Sequence, residues 1–323
     1  MPVIYKKGNP EKEGKKSYFS FLFLAVIAPI FFVYSLNYLS KTPTVQNVIL
    51  NPVRQILGDF FSPVHKIANK ELYSKGGEFA VVVKNLKTGE AYSHNSDLQF
   101  ESASLYKLWV MNVTYQKIKD GKLSEEDTID AKIDDLDKTL GNTVTTPTPA
   151  DGATGDQTST EPPKTVSFKV GDALNKMITV SDNYAALTLT NKLGTKIISK
   201  FLTDTGYSDS NFNSPPLTSA RDIASFLEQL HEGKLIDNLY SDKMLSLLKN
   251  QELNDRIPKY LPTDVVVAHK TGELEGNKHD AGIVFSKSGD YIIVVLSKST
   301  NPKTASENIA NFSREIYKFE QTR

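Results

Sequence analysis

The chain has 323 residues, 39% of them hydrophobic, which is enough for a sizeable core in one large domain or two small ones. Its 38 lysines and arginines balance 38 aspartates and glutamates, so no global charge points to nucleic acid or another polyanion. There is no cysteine, which excludes disulfides, thiolate metal sites, a cysteine nucleophile and a lipid anchor on cysteine.

Residues 18–39 (YFSFLFLAVIAPIFFVYSLNYL) form a stretch of 22 residues without a charge. A bilayer needs about 20, and Pro29 kinks such a helix without excluding it. Lys6, Lys7, Lys12, Lys15 and Lys16 precede the stretch, whereas only Lys41 and, further on, Arg54 follow it. The positive-inside tendency therefore keeps 1–17 as a cytoplasmic tail and puts everything after residue 40 outside. A cleaved signal peptide usually has an apolar region of about 7–15 residues and a small-x-small cleavage site, and no such site follows Leu39. The sequence thus predicts a single-pass, uncleaved anchor in the cell membrane with an extracytoplasmic domain. Residues 40–62 read as a connector: apolar residues recur at near-helical spacing, interrupted by Pro52, as in a stalk helix or a segment along the membrane surface.

From residue 63 the pattern is that of one α/β domain, 63–323. Helical periodicity runs over 63–74, 104–120, 170–193, 195–205, 219–232, 241–250 and 302–318. Apolar β-type runs occupy 78–85, 90–94, 265–270, 281–286 and 291–297, with Ser288-Gly289-Asp290 as the turn before the last. Two early strands, a helical middle and three late strands predict one antiparallel sheet flanked by helices. Between them, 141–164 (GNTVTTPTPADGATGDQTSTEPPK) holds seven threonines, four prolines and no aromatic residue. It has little to bury, and the composition predicts a disordered insertion.

Three short motifs carry chemistry. Ser104-Leu105-Tyr106-Lys107 opens a strongly apolar helix, where residues i and i+3 share a face and a lysine can lie beside a serine hydroxyl. A helix N-terminus offers backbone N–H groups and positive dipole to a developing oxyanion. Ser246-Leu247-Leu248-Lys249 has the same spacing but sits mid-helix, and is a chance match. Ser181-Asp182-Asn183 is a polar triplet wedged between two apolar helical runs, which suggests an exposed turn in a cleft, with Ser181 or Asp182 as N-cap of the second helix. Lys270-Thr271-Gly272 ends the strand VVVAHK, and its glycine permits close approach of a substrate to the edge backbone. A second copy, Lys87-Thr88-Gly89, falls between two strand-like runs and reads as a hairpin turn. Other schemes fare worse: no Gly-x-Ser-x-Gly elbow and no His-Glu-x-x-His zinc motif exist, and His279-Asp280, the nearest thing to a His/Asp pair, reads as structural.

Ser-x-x-Lys, Ser-Asp-Asn and Lys-Thr-Gly in this order resemble the class A β-lactamases and penicillin-recognising serine hydrolases. The likeness extends to VGDALNKMITVSDNYAALTLTNKLG, LTSARDIASFLEQLHEGKL and NDRIPKYLPTDVVVAHKTGEL, covering about 63–320. It implies a β-lactamase/transpeptidase-like α+β fold, with the site in a groove between an antiparallel sheet flanked by helices and an all-helical lobe, and no metal or organic cofactor. It also implies Ser104 as the acylated nucleophile, Lys107 as its base and Ser181 as proton relay to the departing amine. Asn183 would orient the substrate amide, Lys270 supply positive potential and Thr271, beside Gly272, bind the substrate carboxylate. The backbone N–H groups of Ser104 and Glu273 would form the oxyanion hole.

The chain departs from class A at one point. The family's omega-loop glutamate, which activates the water that releases the acyl group, has no counterpart: no glutamate occurs from Pro162 to Leu227, and GYSDSNFNSPPLT is short for that loop. Asp209, with Asn213 four residues on, offers a substitute acid, although its position favours a turn residue. The expected function is a serine acyl-enzyme hydrolase that opens β-lactams, with slow deacylation. A D-alanyl-D-alanine carboxypeptidase or penicillin-binding protein acting on peptidoglycan peptides is the alternative enzyme. A non-catalytic sensor of β-lactam or cell-wall fragments is the third reading, and a cytoplasmic tail of only 17 residues weighs against it.

Overall fold

The computed structural model describes residues 62–141, 164–299 and 301–323. The predicted anchor at 18–39, the tail and nearly all of the connector lie outside the described residues, as do 142–163 of the predicted insertion. Among the described residues no helix is long and apolar enough to cross a membrane.

A five-stranded sheet organises the domain, in the order β2-β1-β9-β8-β7 and antiparallel throughout. Its strands are β1 (Glu78–Asn85), β2 (Ala91–His94), β7 (Val266–Leu274), β8 (Asn277–Phe285) and β9 (Tyr291–Lys298). Both faces are covered, which is why β1 and β9 read as continuous apolar runs rather than alternating ones. Val81, Val83, Ile293 and Val295 pack on one face against α1 (Pro63–Glu71) and α9 (Pro302–Glu320), with Ala68, Ile309 and Phe312. Ala80, Val82, Ile292 and Val294 face the other way, into a larger core shared with the helical lobe.

That lobe is built around α2 (Lys107–Lys119), whose residues from Lys107 to Tyr115 are all buried. Trp109 and Leu108 are completely enclosed, and full burial of a side chain such as Leu108 contributes about 1.5–3 kcal/mol. Around it pack α4 (Val170–Thr179), α5 (Asn183–Leu193), α6 (Thr195–Thr205) and α8 (Asn238–Lys249), while α7 (Ala220–His231) lies against β1, β8 and β9 and beside α8.

Elements that the apolar pattern does not announce complete the lobe. Strands β3 (Phe100–Glu101) and β6 (Leu217–Thr218) pair with each other. Strands β4 (Thr128–Lys132) and β5 (Thr165–Lys169) form a second ladder, with α3 (Ile133–Leu140) between them. The two ends of the predicted insertion therefore belong to the fold. Gly141 closes α3 in the left-handed conformation, and the Lys164 carbonyl accepts from the Ile133 N–H at 2.9 Å. Lys87-Thr88-Gly89 is the β1–β2 hairpin turn: Asn85 Oδ1 accepts from the N–H groups of Lys87 and Thr88, and Gly89 supplies the positive φ.

Candidate active site

Ser104 lies in a 3-10 turn, Ala103–Tyr106, that runs straight into α2. The Lys107 N–H donates to the Ser104 carbonyl, and in such a turn residues i and i+3 eclipse, so Lys107 stacks over Ser104. The predicted α-helical start at 104 is thus a tighter turn. Ala103, just before the serine, has φ +46, a strained value for any residue with a Cβ.

Ser181 follows the end of α4 and also holds a left-handed backbone, at φ +58. Asp182 is the N-cap of α5, its carboxylate accepting from the Ala185 N–H at 2.8 Å, and Asn183 is the first helical residue. This cap turns the Ser181 carbonyl and hydroxyl and the Asn183 amide towards α2. All three acceptors converge on one group: Lys107 Nζ donates to Ser181 O at 2.6 Å, to Asn183 Oδ1 at 2.8 Å and to Ser181 Oγ at 3.1 Å.

Lys270 approaches from the sheet. Strand β7 does not stop at the motif but carries it through to Leu274, so Lys270-Thr271-Gly272 lies within the edge strand. Lys270 Nζ donates to Ser181 Oγ at 2.9 Å and to the Thr271 carbonyl at 2.9 Å. Its side chain and that of Lys107 are both fully buried. Burial disfavours the ammonium form. It pushes Lys107 down to about 7 against a partial opposing pull from Asp182, and drives Lys270 well below its ordinary value, helped by the Lys107 charge. The three donated bonds are those of the ammonium; on losing a proton near pH 7 Lys107 keeps two of them and gains a lone pair that can accept a proton from a serine hydroxyl. Ser181 Oγ, bonded to both lysines, can pass a proton between them.

Gly272 also makes room within the fold itself. A Cβ there would stand 3.1 Å from His279 Cδ2, 3.2 Å from the Ser102 carbonyl and 3.3 Å from Ala103 Cβ. The glycine admits the backbone leading to Ser104 close against β7. Behind it, His279 accepts from the Ser297 N–H on Nδ1 at 3.0 Å, so its proton sits on Nε2 and is donated to the Glu101 carbonyl at 2.9 Å. Complete burial pushes this imidazole down to about 4, so it is a neutral tie between β8, β9 and β3.

Strand alternation puts Lys270 and Gly272 on the face turned to the helical lobe, and His269, Thr271 and Glu273 on the reverse face. Arg256, which the motifs do not announce, is on that reverse side. It is 1% exposed, and its guanidinium donates to Glu273 Oε2 at 2.7 Å and to the His279 carbonyl at 3.4 Å. Glu273 is also paired with Lys278. A lone arginine after a turn-like Asn-Asp carries no recognisable spacing, and only the tertiary fold shows it beside Glu273.

Asp209 is not brought to this cluster. Its carboxylate faces Ser219 Oγ at 3.4 Å and Arg221 at 3.8 Å, and its carbonyl accepts from Gln99. Among the described residues no carboxylate is hydrogen-bonded to Lys107, Lys270 or the Ser104 hydroxyl. The segment after Asp209 instead sends Phe212 edge-on against Tyr106, with ring centres 5.7 Å apart.

The fold and the ordered motifs define a penicillin-recognising serine hydrolase. The family model of the beta-lactamase enzyme family matches residues 63–319, and the chain belongs to that family. Among solved structures, a β-lactamase from Sphaerobacter thermophilus DSM 20745 is similar at 20% identity, covering 80% of this chain and 97% of its own, with a TM-score of 0.67. A β-lactamase from Chitinophaga pinensis DSM 2588 is 20% identical over 80% of this chain and 99% of its own, with a TM-score of 0.67. PBP-A is similar at 21% identity, over 80% of this chain and 96% of its own, with a TM-score of 0.68, and a mutant of it has been solved as an acyl-enzyme complex with penicillin G. No curated protein matches.

Proposed function

We propose that the chain forms an acyl-enzyme with β-lactams through Ser104 and releases the acyl group slowly. The observation that carries this reading is the cluster of Ser181 with the buried Lys107 and Lys270, with Ser104 one 3-10 turn below Lys107.

The neutral Lys107 amine takes the Ser104 hydroxyl proton as Oγ attacks the β-lactam carbonyl carbon. The carbonyl oxygen becomes an oxyanion, held by the backbone N–H groups of Ser104 and Glu273. As the C–N bond breaks, the Ser181 hydroxyl gives its proton to the ring nitrogen and regains one from the lysines on either side of it. The carboxylate of the substrate meets the positive potential of Lys270 and binds Thr271, with Arg256 on the same face of β7. Asn183 orients the substrate amide.

Release needs an activated water. Asp209 is engaged by Ser219 and Arg221, and among the described residues no carboxylate is hydrogen-bonded to Lys107, Lys270 or Ser104, so the acyl-enzyme is expected to persist. The same observation favours a second reading, in which the physiological substrate is a peptidoglycan peptide ending in D-alanyl-D-alanine. Chasing the penicillin-loaded protein after removal of free drug tests the slow step. An adduct that outlasts the chase supports it; immediate loss with stoichiometric ring-opened product contradicts it. Competition by a D-alanyl-D-alanine peptide distinguishes the two substrates.

The domain works outside the cytoplasm, anchored by the uncharged 18–39 stretch that lysines precede. Carbonate-resistant association with membranes, lost on deleting 18–39, is the expected behaviour.

A further inference from the structure

On the reverse face of β7, next to Lys270, His269 is 1% exposed and Asp280 is fully buried. The imidazole Nδ1 lies 2.9 Å from Asp280 Oδ1, and Nε2 lies 3.0 Å from Asn254 Oδ1. The orientation of the Asn254 amide is fixed by its other end, because Nδ2 donates to the Gln251 carbonyl at 3.2 Å. Oδ1 is therefore an acceptor, and Nε2 must carry a proton. Asp280 Oδ2 accepts from the Ile257 N–H at 2.9 Å, which favours the carboxylate form, so the proton shared with Nδ1 belongs on the ring. The sequence neighbours His279 and Asp280 alternate to opposite faces, and it is His269, across the strand, that Asp280 pairs with.

The segment held by this pair reaches the other half of the site. Gln251 Nε2 donates to the Ile178 carbonyl at 2.6 Å, and the Glu252 N–H donates to the Thr179 carbonyl at 2.9 Å. These are the last carbonyls of α4, just before Ser181. Residues 251–257 thus bridge β7, which carries Lys270, to the helix end that presents Ser181.

We propose that His269, protonated on both ring nitrogens and paired with the Asp280 carboxylate, is a positioning residue that latches segment 251–257 to β7 and so holds Lys270 against Ser181. Its effect on chemistry rests on acylation at Ser104. A buried pair with every donor and acceptor satisfied is rigid, whereas loss of one member leaves an uncompensated charge. The ionisable groups that bear on it are Asp255 and Arg256 on the bridging segment, Glu273 on the same face of β7, and Lys270 on the opposite face, where Lys107 and the neutral His279 also lie. Asp280 opposes the depression of Lys270, and Arg256 adds to it.

The two members have opposite signs, so their variants move the pH dependence in opposite directions. His269→Gln leaves the Asp280 carboxylate unbalanced, keeps the coupled lysines protonated to higher pH, and shifts the acylation profile up by roughly one pH unit, with acylation about fivefold slower near neutrality. Asp280→Asn shifts the profile down. Equal slowing of both variants without displacement of the profile would reduce the pair to a structural role and overturn the proposal. Nitrogen-15 NMR of the unsubstituted full chain, assigned through bonds from the backbone, decides the protonation state whether or not the variants fold. Two ring N–H signals for His269 near pH 7 are expected, and a single one overturns the proposal. A chain that is never acylated would reject the reading of Ser104 but leave this spectrum informative.

Discussion

The amines of Lys107 and Lys270 meet on a single atom, the hydroxyl oxygen of Ser181, at 3.1 and 2.9 Å. Two cations on one hydroxyl oppose each other, and burial relieves the conflict by making Lys107 the readily neutral amine, pushed down to about 7. The relay between the two lobes of the site follows from that arrangement.

Ser181→Ala removes the shared hydroxyl. Acylation by penicillin is expected to fall about 10²–10⁴-fold, the usual range for loss of a general acid–base partner. Stopped-flow acylation kinetics measure it.

Ser181 is also strained. Ser181→Gly relieves the positive φ that alanine would keep, so the glycine variant is expected to melt above the alanine variant, with a difference of about 1 kcal/mol or more. Thermal unfolding of the two variants side by side checks this, and alanine melting higher would contradict it.

The acylation rate is expected to rise with pH through about 7, because the base must be neutral and Lys107 is held there by burial. The sign for stability is the same. The folded value lies below the ordinary 10.5, so the unfolded chain binds more protons between about 7 and 10.5, and raising pH through that window stabilises the fold as far as this group is concerned. Denaturant midpoints measured across the window test it.

Gly272→Ala puts a methyl group against the Ser102 carbonyl and Ala103, on the backbone that carries Ser104. Overpacking of this kind costs about 1–3 kcal/mol. Acylation is expected to fall by more than the stability loss alone explains, because the strand and the serine turn are pushed apart.

Asp209→Ala is expected to leave release of the acyl group unchanged, since its carboxylate is spent on Ser219 and on a partly exposed pair with Arg221. Pairs of that kind contribute up to about 1 kcal/mol. Faster or slower chase of the penicillin adduct in this variant would restore Asp209 as a candidate acid.

The sheet and the long helices were legible because both sheet faces are buried and the apolar runs are unbroken, as in β1 and β9. The short ladders were not. Phe100–Glu101 and Leu217–Thr218 are two residues each, too short for any period, and β4 and β5 alternate weakly beside a polar stretch. Ser104, Lys107, Ser181, Asn183 and Lys270 were found because their order along the chain is informative, and the structure brings the lysines, Ser181 and Asn183 into one hydrogen-bonded cluster. Gly272 was found, but its close approach to Ser102 and Ala103 was not legible, since what a glycine admits depends on the backbone opposite it. Arg256 and the His269–Asp280 pair were missed because their partners are distant in the chain, and strand alternation separates His279 from the aspartate beside it.

Intact-mass spectrometry of the full chain with penicillin G, quenched from the earliest times, tests the central claim most directly. A covalent adduct of the whole antibiotic is predicted, present with Ser104 and absent in Ser104→Ala. No adduct at any time together with no ring-opened product, or an adduct that survives in Ser104→Ala, would contradict it.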